Sequence, residues 1–365
     1  MTHFLHTPVT DKLGIEHPLI QAGMAGGPTT PELVAAVSNQ GGLGTLGAGY
    51  MTPDKIRTAI RHIRALTDRP FAVNLFIPEA YEVDPEQVDR MNERLQPIRD
   101  RYGLSTPSAD LKLSESFDEQ LEVLLDEKVP VVSFTFGAPT PECLQKLRTH
   151  GITTIGTATT VAEAEHLDGL GVDLIVAQGS EAGGHRGTYL TDAQQALIGT
   201  MALLPQIVDR VQAPVIAAGG IMDGRGLIAA LALGAGAVQL GTAFLTCYES
   251  GASSLHKNAL LQATDSSTTL TNAFSGKYAR GLCNDFIEQL APHADDIPAY
   301  PIQNALTRDI RSAAAQAGDP QNVSLWAGQA AALTQRRSVQ ELMEKILEQA
   351  TRVATRFHPA TEATD

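Results

Sequence analysis

Eight short apolar runs, at 18–24, 42–48, 71–76, 129–137, 153–158, 174–179, 213–221 and 237–245, punctuate the first 245 residues of the chain. The segments between most of them have the apolar spacing of a helix. Thr52-Pro53-Asp54 opens one such segment with an N-capping threonine and a proline at the first helical position, and 160–171 and 224–234 have the same character. A run that is apolar at nearly every position is buried on both faces, as in a parallel sheet covered by helices. Eight strands alternating with helices predict an α/β fold, a closed (β/α)8 TIM barrel, with a doubly wound open sheet as the alternative. In such a barrel the chemistry sits at the carboxyl ends of the strands.

At 365 residues the chain is long enough for one barrel plus an appendage. The expected division is a barrel over 1–245, completed by a C-terminal helix at 335–357, and a small, mostly helical lobe over 246–330 that covers the barrel mouth. Residues 77–116 interrupt the alternation after the third strand and are expected to carry a helix at 84–102, over or beside the strand ends. The tail from His358 is expected to fray. The formal charge of −14 and the absence of a basic patch oppose nucleic-acid binding. No run of about 18 apolar residues and no signal-like N-terminus is present, so no membrane span is expected and the cytoplasm is the expected location. Cys143, Cys247 and Cys283 are too scattered for disulfides, structural zinc or an iron–sulfur cluster, and no metal is expected.

The sixth run leads into a glycine-rich loop, VDLIVAQGSEAGGHRGT at 172–188. Val172, Leu174, Ile175 and Val176 make the strand, Gln178 ends it, and Gly183 and Gly184 free the backbone just before His185, which falls at the rim. A histidine in an isolated polar loop is ordinarily a solvated surface residue; this one ends a barrel strand. Glu181 either orients the loop or is a solvated acid. After the seventh and eighth strands stand Gly219-Gly220 and Gln239-Leu240-Gly241-Thr242, where backbone amides suit a phosphate. The bland reading of these glycines is relief of crowding in a tight barrel. Asn74 and Gln178 are amides ending apolar strands and need polar partners, which a heterocycle edge supplies. Ala22, Gly23 and Met24 follow the first strand and offer exposed backbone to the face of a flat ring. Phosphate, polar edge and flat ring together describe flavin mononucleotide, FMN.

The segments PLIQAGMAGG, GGLGTLGAGYMTP, FAVNLF, AQGSEAGGHRG, VIAAGGI and QLGTAFL, in this order, resemble class I nitronate monooxygenase, formerly 2-nitropropane dioxygenase, over nearly the whole chain. The resemblance implies a barrel with a helical lobe and non-covalent FMN held by Ala22, Gly23, Met24, Asn74, Gln178, Gly183, Gly220 and the run Gln239, Leu240, Gly241 and Thr242. It places the family's catalytic histidine on His185. The implied reaction is oxidation of nitronates such as propionate 3-nitronate, and of nitroalkanes, by O2 to a carbonyl compound and nitrite. A neutral imidazole is a suitable base for an acidic nitroalkane α-hydrogen, and a protonated one would stabilise a preformed nitronate. In the lobe, the resemblance extends to Ser275-Gly276-Lys277, Ala279-Arg280-Gly281, Tyr300-Pro301 and Trp326-Ala327-Gly328-Gln329. Tyr300 is the candidate aromatic wall of the substrate pocket, and Lys277 and Arg280 are candidates for attracting a carboxylate; an interface tyrosine and a charged surface loop are the plainer alternatives. Asn304 and Arg308 stand where some relatives carry tyrosine and lysine. Competing functions are an NAD(P)H-dependent enoyl or quinone reductase on the same barrel and a non-catalytic flavin-binding protein. No separate Rossmann fingerprint accompanies the barrel glycines.

Overall fold

In the computed structural model, which describes residues 5–107 and 113–357, each of the eight runs contains a strand. These are β1 (Leu19–Gln21), β2 (Gly44–Gly47), β3 (Phe71–Phe76), β4 (Val131–Thr135), β5 (Thr153–Ala158), β6 (Leu174–Gln178), β7 (Val215–Ala218) and β8 (Ala237–Leu240). All pair in parallel in the ring order β1-β8-β7-β6-β5-β4-β3-β2. The ring closes where Leu43 donates to the Leu19 carbonyl at 3.0 Å and accepts from the Gln21 N–H at 2.9 Å. The fold is a (β/α)8 TIM barrel. Ile20, Ala72, Val131, Ile155, Leu174, Val176 and Ile216 fill its interior. Val9 and Leu13 of the first helix, Pro8–Leu13, join the same cluster.

The helices obey their local signals. Thr52 caps Pro53–Leu66 through the Lys55 N–H, and Thr160 caps Val161–Leu170 through the Glu163 N–H. The last helix, Val339–Phe357, lies on Gly224–Ala232 so closely that a Cβ at Gly224 would collide with the backbone at Ala350. Its Met343, Ile346 and Ala350 are buried in the main core.

Several strands end earlier than their apolar runs. β7 stops at Ala218 because Gly219 and Gly220 take positive φ of 112° and 71°. β8 stops at Leu240 and the chain turns into a short helix, Thr242–Leu245, instead of running on as strand. β4 stops at Thr135 because Phe136 adopts φ 77°, an uncommon conformation for an aromatic residue.

The lobe is not simply helical. Besides Ser254–Leu261, Asp285–Leu290, Ile302–Leu306 and Arg308–Ala317, it carries an antiparallel pair, Thr268–Thr271 with Ala279–Leu282. Its second strand pairs with Gly184–His185, so a piece of the loop after β6 is the third strand of the ribbon. The β-branched TTLT segment is the local reason for a strand here. The insertion forms the helix Pro85–Arg101, capped by Asp84. Its Met91, Leu95 and Ile98 pack on Phe274, Phe286, Ile302 and Leu306 of the lobe. Arg99, fully buried, donates to Asp309 at 3.1 Å and to the Leu306 carbonyl at 2.8 Å. The expected fraying from His358 lies outside the described residues. No helix among the described residues is long and apolar enough to cross a membrane.

Candidate active site

A cavity of about 700 Å³ opens at the carboxyl ends of the strands, beneath the lobe. Ala22, Gly23, Met24, Asn74, Gln178, Gly183, His185, Gly219, Gly220, Gln239, Gly241 and Thr242 all border it. Leu240 does not: it is buried in the core, and its carbonyl accepts the Ala22 N–H at 2.9 Å. Two close approaches shape the floor. A Cβ at Gly23 would lie 2.7 Å from Asn74 Cβ, and one at Gly47 would lie 2.5 Å from the backbone joining Met24 and Ala25, so the loop after β1 lies directly on β2 and β3.

The polar groups on the wall divide into those already used and those left over. Asn74 Nδ2 donates to Ser133 Oγ at 3.0 Å and Thr135 Oγ1 at 3.1 Å, leaving Oδ1 to accept from a ligand. Gln178 braces its own loop: Nε2 donates one hydrogen to the His185 carbonyl at 3.1 Å and Oε1 accepts from Gly187 at 2.8 Å. It therefore holds the histidine loop in place, and its second N–H and second lone pair stay open on the cavity wall. The Gln239 side chain and the backbone N–H groups of Gly219, Gly220, Gly241 and Thr242 meet no protein partner among the described residues. Exposed amide donors beside an acceptor and a flat glycine floor suit a planar polar ring with an anionic tail.

His185 sits where the lobe ribbon meets the cavity. Its Nε2 lies 2.8 Å from Ser275 Oγ, and its ring is fenced by Phe136 at 5.6 Å, Trp326 at 5.3 Å and Tyr300 at 6.3 Å between centroids. Burial, reinforced by the positive charges of Lys277 and Arg311, pushes its pKa down to about 3, so the imidazole is neutral. Behind it the guanidinium of Arg186, with no exposed surface, donates to the carbonyls of Gly179 at 2.6 Å, Gln178 at 3.0 Å and Ala196 at 3.1 Å. Glu181 turns away from the imidazole toward Thr200. Phe136, in its left-handed conformation, brings its ring against Phe76, His185 and Tyr300 together; such backbone outliers concentrate at functional sites.

Opposite the glycines the wall is cationic. Arg311 donates through Nη2 to the carbonyl of Asn304 at 2.7 Å and to its Oδ1 at 2.9 Å, and through Nε to the Thr307 carbonyl at 3.3 Å. Nη1 has no protein acceptor among the described residues, and Arg311, Arg308, Asn304 and Tyr50 all border the cavity. Burial, with Tyr50 beside it, raises the pKa of Tyr300. Tyr300 stands against His185 and Phe136 without bordering the cavity. Lys277 does not border it either: Nζ pairs with Glu79 at 2.6 Å and lies 4.9 Å from the Phe136 ring centroid. Arg280 is buried and donates to the Ser180 carbonyl at 3.0 Å. Among the described residues the arginines and lysines bordering the cavity are thus Arg308 and Arg311, on a helix whose role sequence patterning does not disclose. Sequence reading did not single out Ser133, Thr135 or Phe136, and it reached Ser275 only through the resemblance of Ser275-Gly276-Lys277; the two-residue spacing of Ser133 and Thr135 along β4 is the signal that puts them on one face.

A family model described as nitronate monooxygenase matches residues 6–349. A probable nitronate monooxygenase of Staphylococcus saprophyticus is 48% identical over 354 residues, covering 96% of this chain and 99% of the relative. One from Staphylococcus aureus strain Newman is 46% identical over 342 residues, covering 93% and 96%. The solved nitroalkane oxidase of Streptomyces ansochromogenes superposes with a TM-score of 0.89 at 42% identity, covering 96% of this chain and 99% of that one. FabK of Thermotoga maritima superposes with a TM-score of 0.76 at 32% identity, covering 97% and 98%. With the match spanning barrel, histidine loop and lobe alike, the chain belongs to the nitronate monooxygenase family of flavin-dependent oxidoreductases.

Proposed function

We propose that this enzyme binds FMN non-covalently and uses O2 to oxidise alkyl nitronates, propionate 3-nitronate among them, and nitroalkanes, releasing a carbonyl compound and nitrite. The observation that carries the reading is a neutral histidine, His185, fenced by aromatic rings at the edge of a cavity whose glycine amides have no protein acceptor. The amides of Gly219, Gly220, Gly241 and Thr242 would hold the phosphate, Asn74 Oδ1 and the Gln239 amide would serve the polar groups of the ring, and Ala22, Gly23 and Met24 would offer it their backbone. Leu240 supports the floor from behind, Gly183 lets the histidine loop approach, and Gln178 holds that loop. The bound flavin supplies the electron-accepting group on which O2 chemistry depends.

His185 removes the α-proton of a neutral nitroalkane, and the C–H electron pair stays on the substrate as a nitronate. Being neutral, the imidazole contributes no charge to a nitronate that arrives already formed. Arg311 and Arg308 attract an anionic substrate, and Tyr300 backs the pocket through Tyr50. The barrel of 1–245 with 335–357 holds the flavin, while the lobe of 246–330 supplies the substrate wall.

The test is oxygen uptake and nitrite release with propionate 3-nitronate in the absence of NAD(P)H, together with chromatography of the chromophore released on denaturation. Turnover with FMN released supports the reading. A colourless protein that takes up no FMN overturns the cofactor assignment. Rapid anaerobic bleaching by NADH, with no oxygen uptake on adding the nitronate, replaces the reading with a pyridine-nucleotide reductase.

A further inference from the structure

The hydroxyl of Ser275 has three polar neighbours and a single hydrogen. The Lys277 carbonyl lies at 3.0 Å, the Lys277 backbone N–H at 3.3 Å and His185 Nε2 at 2.8 Å. A backbone carbonyl only accepts and a backbone N–H only donates, so two of the three roles are set before the histidine is considered. Ser275 is 1% exposed, which keeps bulk solvent off its hydroxyl. The arrangement that satisfies every atom sends the serine hydrogen to the Lys277 carbonyl and fills the two oxygen lone pairs with the Lys277 N–H and a proton on Nε2. Sending the hydrogen to Nε2 instead would strip the Lys277 carbonyl of its one donor among the described residues.

We infer that Ser275 is a positioning residue that fixes His185 in the Nε2-protonated tautomer and thereby makes Nδ1, which has no protein partner among the described residues, the basic nitrogen presented to the cavity. The inference rests on the proton-abstraction role proposed above. Three features hold the arrangement. The ring is kept from turning over by Phe136, whose plane stands at 85° to it, and by Trp326. The backbone of His185 is pinned by its pairing with Ala279. Gly276, at φ 80°, makes the turn that brings the Lys277 backbone back onto the Ser275 hydroxyl, and a Cβ there would collide with the Pro298 carbonyl. In the proton-transfer step the substrate C–H bond breaks, the proton bonds to Nδ1 and the electron pair remains as the nitronate. The new imidazolium keeps its Nε2–H on Ser275, whose own hydrogen points at a carbonyl, so the positive charge meets an aligned pair of dipoles.

The test is heteronuclear NMR of the flavin-loaded protein with 15N-labelled histidine, the His185 signals being assigned by their loss in His185→Asn. The inference expects a protonated Nε2 and an unprotonated Nδ1 in the native chain, mixed tautomers in Ser275→Ala, and recovery of the native pattern in Ser275→Thr. A protonated Nδ1 in the native chain overturns it without any variant having to fold. A native pattern retained in Ser275→Ala overturns it equally. In kinetics, Ser275→Ala should lower kcat for neutral nitroalkanes by about 10-fold or more, short of the roughly 100- to 10,000-fold expected for loss of the base itself. KM should change little, and preformed nitronates should lose less. The expected tautomer with no nitroalkane turnover would mean that the proposed reaction is wrong while the role of Ser275 stands.

Discussion

Both carboxylate oxygens of Glu181 accept the Thr200 backbone N–H at 2.9 Å, and Oε2 also accepts the Thr200 hydroxyl at 2.9 Å. Thr200 is the first residue of the helix Thr200–Val208, whose own N-cap, Gly199, has no side chain to offer. The acid of the EAGGH motif is therefore a helix cap delivered from the histidine loop, and it ties that loop to the barrel wall. Glu181→Ala should lower stability by about 1–2 kcal/mol, measured by denaturant unfolding. It should leave the pH dependence of nitroalkane oxidation where it was. A shifted pH profile with unchanged stability would assign Glu181 to proton transfer instead.

His185→Asn separates the two substrate forms. Neutral nitroalkanes need a base and should lose about 100- to 10,000-fold in rate; preformed nitronates need none and should lose far less. The comparison is made with flavin still bound, by initial oxygen-uptake rates on the same nitro compound before and after alkaline pre-ionisation. Equal losses on both forms would show that His185 does not abstract the proton.

The pH profile carries its own signature. A base works unprotonated, and burial with two nearby cations pushes His185 down to about 3. The acid limb of kcat/KM for a neutral nitroalkane should therefore lie well below the ordinary histidine value of about 6.5. A carboxylate-bearing substrate seated on Arg311 offsets one of the depressing charges, so its kcat profile should have a limb at higher pH. The same shift enters folding. Between 6.5 and 3 the unfolded chain binds a proton at this position that the folded chain does not, so stability falls as pH drops through that window. His256, pushed down to about 4 by burial, acts in the same direction.

Arg311 is pre-arranged by Asn304 and Thr307 with one Nη group toward the cavity. Hydrogen bonds to charged groups contribute about 1.5–3 kcal/mol, so Arg311→Met should raise KM for propionate 3-nitronate by about 10- to 100-fold. An uncharged alkyl nitronate of similar length should be nearly indifferent. Equal effects on both would mean that the arginine only supports the helix. Lys277→Met, by contrast, removes the partner of Glu79 and should leave the preference for the carboxylate in place.

The barrel was legible because its strands are buried on both faces, and a run such as Leu174-Ile175-Val176 admits few other fates. The ends of the runs were not, since apolar character does not register where a backbone turns; Gly219, Gly220 and Phe136 decide that through φ. Residues on the strand ends were readable for the same reason as the strands, and most of those named border the cavity. Gln178 was placed correctly on the wall, but its partners, His185 and Gly187, are the loop's own backbone, which composition does not disclose. The substrate side was the least readable. Lys277 and Arg280 lie in lobe segments that carry the resemblance, yet Glu79 claims the first from 198 residues away and Ser180 the second from 100. Arg311 becomes important only because a helix far along the chain is folded over the mouth.

The ribbon that joins Gly184–His185 to Ala279–Leu282 gives the lobe an unusual hold on the chemistry. A lid that merely covers a site can lift and leave the catalytic groups standing. Here the histidine is itself stitched into the edge of the cover, so raising the lobe means unzipping the backbone on which the base is mounted. An undocked lobe would leave the cavity open beside a displaced His185. With His185 in the role proposed for it, opening the lobe as one body would disarm the chemistry, so substrate would have to pass by smaller movements at the rim.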